Sequence, residues 1–455
     1  MLQELLSSIS EFAMNGTSPE TRLANQLIPE SNKNGFETFF VISPAVVYSF
    51  LAVYLETRFN LKKNLCFVLE IFIIIVPEIL GMTLLSNYSH AIWYALFACM
   101  LLLICLNRRI FQATDETVFD TKFITNTRST INILSVIAIL AVDFGVFPSR
   151  FHKTHMVGYS VMDAGVGMYV FANGIVSPES RELKNPVLKS VKGSLALLIV
   201  GIGRLIMTRL FHYHVPVGEY GVHWNFFITL AVTKVFTSFF LNIVNVKYIY
   251  INAIVLLCAH EMLLESGLKQ FVFDEFPRDN FIKANKEGIV SSLGFVILYL
   301  FSVYFGYILQ MKKRKQSTVA VVKKHLIGGC AALLCSVIFE HFFGISRRVA
   351  NAAYICWILF LGISSQVFYF LIETAQKAIF NGDSPALQVP YINDAVNFNG
   401  LAFFLVGNLL TGFVNLTIDT RAYETLDSLL IVLTYMIVNL LVVGFLYARG
   451  VRLKF

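Results

Sequence analysis

Ser129-Thr-Ile-Asn-Ile-Leu-Ser-Val-Ile-Ala-Ile-Leu-Ala-Val-Asp143-Phe-Gly-Val-Phe-Pro148-Ser-Arg150-Phe-His-Lys153-Thr154 joins two chemically opposed halves. Through Phe147 it is an apolar run of about 19 residues, the length a helix needs to cross a hydrocarbon core near 30 Å thick. The run predicts a membrane-spanning helix over 129–147, with Asp143 about one turn before its end. Pro148 then breaks the helix. Arg150, His152, Lys153 and His155 follow at the boundary. An ionisable group at membrane depth costs roughly 2.5–3.5 kcal/mol on insertion scales. Folding does not require that cost, so an acid beside cations at the end of a span is a candidate site.

Outward from this block the pattern repeats. Apolar stretches recur at 38–54, 65–86, 90–107, 129–147, 160–177, 187–207, 223–241, 246–266, 289–310, 326–344, 350–373, 398–416 and 426–448. Of the 455 residues, 56% are hydrophobic and only 14% are charged, against about 25% charged in a soluble globule. So few charges cannot make a solvated surface. The expected fold is all-α, a polytopic transmembrane helical bundle with about 13 spans and short connectors, since only a helix satisfies its own backbone groups in lipid. Residues 1–37 form a polar, acidic N-terminal segment with no signal-peptide pattern, 38–448 the membrane domain, and 449–455 a short basic tail.

An odd span number puts the termini on opposite sides. Placing the C-terminus in the cytosol gives the cytosolic connectors about 22 cations against about 12 opposite, as the positive-inside rule favours. The N-terminus and the connectors 148–159 and 209–222 then face the lumen, and the sequon Asn15-Gly-Thr17 becomes a glycosylation candidate. The net charge of +7 lies in connectors rather than on one stripe, so it does not point to nucleic acid. The seven cysteines are scattered through apolar runs and read as small buried hydrophobes. No metal-ligand spacing, GxSxG elbow, phosphate loop or dinucleotide fingerprint occurs. Also absent is a histidine followed five residues on by aspartate, the arrangement of soluble glycerolipid acyltransferases.

Further polar blocks surround the first. A carboxylate such as Asp143 beside cations can act as a general base, and Lys153 can stabilise an oxyanion; the structural alternative is a helix-end ion pair. Asp163-Ala-Gly165-Val-Gly167 opens a glycine-dense span. Its small residues suit close helix packing or the approach of a lipid chain, and Asp163 also suits a helix cap. Glu219, His223 and Asn225 flank the interface anchors Tyr220 and Trp224, and could hydrogen-bond a polyol head group. Asn408, Thr411 and Asn415 share one helix face, as site wall or as interhelical glue.

These blocks resemble the inositol acyltransferases of glycosylphosphatidylinositol (GPI) anchor synthesis. The resemblance rests on Val142-Asp-Phe-Gly-Val-Phe-Pro-Ser-Arg-Phe-His-Lys-Thr154, Met162-Asp-Ala-Gly-Val-Gly167, Gly218-Glu-Tyr-Gly-Val-His-Trp-Asn-Phe-Phe227, Ala284-Asn-Lys-Glu-Gly288 and Asn408-Leu-Leu-Thr-Gly-Phe-Val-Asn-Leu416, in that order along the chain. It implies a multi-pass enzyme of the endoplasmic reticulum membrane, with its polar motifs in the lumen. It also implies transfer of a fatty acyl group, typically palmitoyl, from acyl-CoA to the inositol 2-hydroxyl of glucosaminyl-phosphatidylinositol, with no permanently bound cofactor. Catalysis maps onto Asp143 and Lys153; Arg150, Asp163, Gly165, Gly167, Glu219, His223, Asn225, Asn408 and Asn415 are the expected substrate-binding set. His155 stands where the family often has an acid. The rival reading is a secondary transporter or lipid flippase using Glu70, Glu78 and Asp143 as a proton relay; the lack of an internal repeat counts against it.

Overall fold

The computed structural model describes residues 34–107, 122–183, 185–210, 217–275, 277–310, 318–380 and 389–453, and among these there is helix and no strand. The sequon at Asn15 lies outside the described residues. Every apolar stretch is helical: α1 Gly35–Phe59, α2 Leu65–Met82, α3 Ser86–Leu106, α4 Lys122–Ala141, α5 Val161–Gly174, α6 Val187–Leu210, α7 Phe226–Ile243, α8 Val246–Phe273, α9 Lys286–Ile308, α10 Val319–Phe343, α11 Ala352–Gln376, α12 Gly400–Thr417 and α13 Thr425–Ala448.

Twelve of these, among the described residues, are long and apolar enough to cross a membrane. The exception is α5, with 14 residues. At about 1.5 Å per residue it is roughly 21 Å long, short of the hydrocarbon thickness. The expected span 160–177 is therefore a short buried helix. The turn Glu179–Arg181 that follows it packs on α9.

The helices sort by their surroundings. α4, α9 and α11 are buried along most of their length, whereas α3, α6 and α10 present apolar side chains outward. Outward residues such as Ile199 on α6 and Leu334 on α10 suit contact with acyl chains. Water would penalise them; lipid does not.

The two carboxylates of span 65–86 have structural settings. Pro77 cannot donate to the helical ladder, and the wider turn Ile71–Ile75 lies just before it. Glu70, at the start of that turn, accepts from the backbone N–H groups of Tyr391 and Ile392, each at 2.6 Å. These are N–H groups that the first turn of the helix Tyr391–Phe398 cannot satisfy internally. Glu78 is buried among Tyr48, Pro77 and Ser89. Neither carboxylate lines the cavity that holds Asp143, so the three do not form a relay.

Candidate active site

α4 stops at Ala141, two residues earlier than Asp143. The chain leaves the helix through tight turns, with Asp143 N–H donating to Leu140 O and Phe144 N–H to Ala141 O. Asp143 thus sits beyond the helix end rather than one turn inside it. Asn415 on α12 donates to Asp143 Oδ2 at 2.8 Å. The turn Ser149–Phe151 then brings Lys153 back, and its Nζ lies 2.6 Å from Glu219 Oε1.

Asp143, Lys153 and Glu219 line one cavity of about 2360 Å³. Its walls come from α4, α5, α6 and α12, with the connectors around 148–155, 218–220, 347–348 and 418–421 lining one end. Ordinary small-molecule pockets span about 300–1,000 Å³, so this one has room for two large substrates. The polar groups gather at the connector end. Deeper walls are apolar, with Leu134, Ala138, Met168, Phe226, Phe227 and Phe404, as an acyl chain requires.

Burial pushes the Asp143 carboxyl above its ordinary value, against the opposing pull of the Asn415 hydrogen bond, Lys153, Arg421 and His152. Burial also acts to raise Glu219, but Lys153, Arg347 and Arg204 outweigh it and hold that carboxyl below the usual range. His152 is lowered, chiefly by burial. Two carboxyls in one cavity are thus driven apart: Asp143 is suited to accept and return a proton, and Glu219 to remain charged beside Lys153.

The remaining expected residues divide. Gly165 lines the cavity, and a Cβ there would meet only Ser135 Oγ, at 3.8 Å. Asn408 also lines it, donating to Phe404 O one turn back. Arg150 reaches the wall, but its guanidinium is committed to Glu37 at 2.7 Å, Asn87 and Ser86.

Asp163, Gly167, His223 and Asn225 are not among the residues that line this cavity. Asp163 is fully buried; it takes Arg347 Nε at 2.6 Å on one oxygen and Thr154 N–H and Oγ1–H on the other. Ser160, not Asp163, caps α5. Asp163 is a strut tying the Lys153 connector to the 344–351 connector. Gly167 faces α11, where a Cβ would meet Ile358 at 2.6 Å. His223 is exposed, and its backbone N–H donates to Asn285. Asn225 caps α7, accepting from Phe227 and Ile228 N–H while donating to Gly201 O.

Sequence reasoning missed Arg204, Arg347 and Arg421, all on the cavity wall. Arg204 carried a visible signal, an arginine inside an apolar helix. Arg347 did not, since its partner Asp163 lies 184 residues away in the chain.

With this geometry in place, the comparisons fall in one direction. The GWT1 family model matches residues 31–446. The chain is 32% identical over 395 residues to an uncharacterised protein of Arabidopsis thaliana, covering 85% of this chain and 88% of that protein. Against the GPI-anchored wall transfer protein 1 of Schizosaccharomyces pombe, identity is 32% over 361 residues, 77% of each chain. Against the phosphatidylinositol-glycan biosynthesis class W protein of Dictyostelium discoideum it is 29% over 485 residues, 92% of this chain and 96% of that one.

Proposed function

The chain belongs to the GWT1 family, and from that premise we propose that its cavity joins a fatty acyl group, delivered as acyl-CoA, to the inositol 2-hydroxyl of glucosaminyl-phosphatidylinositol. The protein is a GPI inositol acyltransferase, a multi-pass O-acyltransferase of GPI-anchor biosynthesis. The donor, the acceptor's head group, the endoplasmic reticulum membrane as its site and the lumenal placement of the chemistry belong to the proposal. The observation that carries it is the meeting of Asp143 and Lys153 on one cavity with an apolar interior.

The steps follow from the positions. Asp143, held by Asn415, takes the proton of the inositol hydroxyl as its oxygen attacks the thioester carbon. Negative charge develops on the thioester oxygen, and the Lys153 ammonium stabilises it. The tetrahedral centre collapses by breaking the carbon–sulfur bond. The proton on Asp143 passes to the departing CoA sulfur, which restores the carboxylate. Glu219 keeps Lys153 oriented throughout. The apolar wall holds the acyl chain, and its burial supplies binding energy far from the reacting atoms.

The test is acyl transfer by the purified full chain in detergent, supplied with palmitoyl-CoA and glucosaminyl-phosphatidylinositol and no ion gradient. Asp143→Asn and Lys153→Ala are each expected to lower kcat by roughly a hundredfold or more while the protein retains its melting temperature. Near-normal turnover in both folded variants would remove the assignment. A flippase or secondary transporter would form no acylated product.

A further inference from the structure

Six cationic side chains line the cavity (Arg150, Lys153, Arg204, Arg347, Arg348 and Arg421), against three carboxylates, Asp143, Glu219 and Asp419. Four of the cations are paired: Arg150 with Glu37 at 2.7 Å, Lys153 with Glu219 at 2.6 Å, Arg347 with Asp163 at 2.6 Å and Arg348 with Glu287 at 3.0 Å. Among the described residues, Arg204 and Arg421 have no carboxylate at ion-pair distance. The Glu219 carboxylate, whose charge Arg204 feels, is paired through Oε1 with Lys153. Asp419 accepts from the backbone N–H of Arg421.

Arg204 is exposed on the cavity wall near the end of its helix. It lies on α6, six residues before Leu210, or roughly 9 Å from the helix end. Ile202 and Ile206 on the same helix point outward, while Val200, Gly203, Arg204, Met207 and Thr208 turn to the cavity. A Cβ at Gly203 would meet nothing within 4 Å, so a group as large as a phosphate can approach the helix there. The Arg204 side chain is exposed on this wall, with no carboxylate at ion-pair distance among the described residues. The guanidinium's planar fork matches phosphate oxygens two at a time.

We propose that Arg204, with Arg421 from the opposite connector, is the cavity's phosphate subsite. It would take either the phosphodiester of the acceptor lipid or the phosphates of the CoA donor. The inference rests on the acyltransferase reading of the same cavity and adds to it which groups read the substrate's charge.

The experiment is steady-state kinetics of the purified full chain, varying acceptor lipid and acyl-CoA separately, for wild type, Arg204→Gln, Arg204→Lys and Arg421→Gln. Arg204→Gln is expected to raise the KM of one phosphate-bearing substrate roughly tenfold or more, the scale of a lost charge-assisted bidentate pair, with kcat within about threefold. Arg204→Lys should fall between, and Arg421→Gln should affect the same substrate. A rise confined to the acceptor assigns the phosphodiester. A rise confined to the donor assigns the CoA phosphates, and acyl-pantetheine, which lacks the nucleotide, should then serve wild type and Arg204→Gln equally. Unchanged KM for both substrates in folded Arg204→Gln overturns the subsite. Should the wild type form no product, the acyltransferase reading fails separately. The subsite is then judged by thermal shift with CoA and with phosphatidylinositol as probes: a shift lost in Arg204→Gln sustains it, and equal shifts overturn it.

Discussion

Lys153 meets the cavity already bound to Glu219 at 2.6 Å, and under the proposed mechanism this pairing has a catalytic consequence. A free lysine on a connector would sample many rotamers, and fixing it at the moment of reaction would add to the barrier. A lysine held by an ionised carboxylate is placed beforehand. Lys153 first, then Arg347 and Arg204, hold the Glu219 carboxyl below the usual range despite burial, which keeps it charged. Glu219→Gln leaves an acceptor oxygen but no charge. We expect kcat to fall roughly tenfold, the scale of a misplaced electrostatic donor, with the KM of both substrates near wild type. The sign of the pH profile follows from Asp143. A general base works only when ionised, and burial raises this carboxyl above its ordinary value of about 3.9. Activity should therefore rise with pH on the acid side, with its midpoint above that value. In Glu219→Gln the released lysine can move toward Asp143 and favour its ionised form, so the acid limb should shift to lower pH. An unchanged limb and unchanged kcat would make the Lys153–Glu219 pair a surface contact without mechanistic weight.

At the scale of the element, α5 shows what glycine spacing can and cannot say. Gly165 and Gly167 are two residues apart, so they point to different sides of a helix. One faces the cavity near Ser135 and the other packs on Ile358 and Tyr354 of α11. From the sequence both read equally as close helix packing or as site wall, because small residues at such spacing read alike. Only the neighbours across the interface distinguish them. The same holds for Asp163 and Asn225, whose side chains complete connectors and caps formed by distant segments. The helices themselves were legible, since a long apolar run in lipid has no other way to satisfy its backbone. The shortness of α5 was not, because its apolar run continues past Gly174 without punctuation until Ser177-Pro178. The glycine pair makes a direct test. Gly167→Leu overfills the α5–α11 contact and should cost about 1–3 kcal/mol, seen as a lower melting temperature. Gly165→Leu should leave melting near wild type and reduce acyl transfer by filling cavity space. If both variants lost stability equally, the wall assigned to Gly165 would be a packed interface.

For the whole molecule, the cavity mouth and the basic C-terminal end of α13 lie at opposite ends of that helix. The polar mouth, with Lys153, Glu219 and Arg421, lies at the start of α13. That helix of 24 residues ends at Ala448, roughly 36 Å away at about 1.5 Å per residue. Arg449 and Arg452 stand at that far end. The connectors carrying Arg58 and Lys62, Arg181 and Lys189, and Lys247 were assigned to the same side from the chain's alternation through the membrane. Positive-inside bias is the ground on which we propose a cytosolic far end and a lumenal mouth. His223 and Val451 report the two ends: both are exposed, and the only described bond at His223 is through its backbone. In a background with all native cysteines replaced, His223→Cys and Val451→Cys would be treated with a charged, impermeant maleimide in sealed endoplasmic reticulum vesicles. Val451→Cys should label at once, and His223→Cys only after the membrane is opened. The reverse pattern would put the acid–lysine pair on the cytosolic side and overturn the lumenal site. Labelling of both in sealed vesicles would mean the two ends share a compartment, and the odd number of crossings would be wrong. The expected pattern requires the acceptor's head group to meet Asp143 at the lumenal face. A donor made on the cytosolic side must then present its thioester near that face, with its acyl chain against the apolar wall of the cavity.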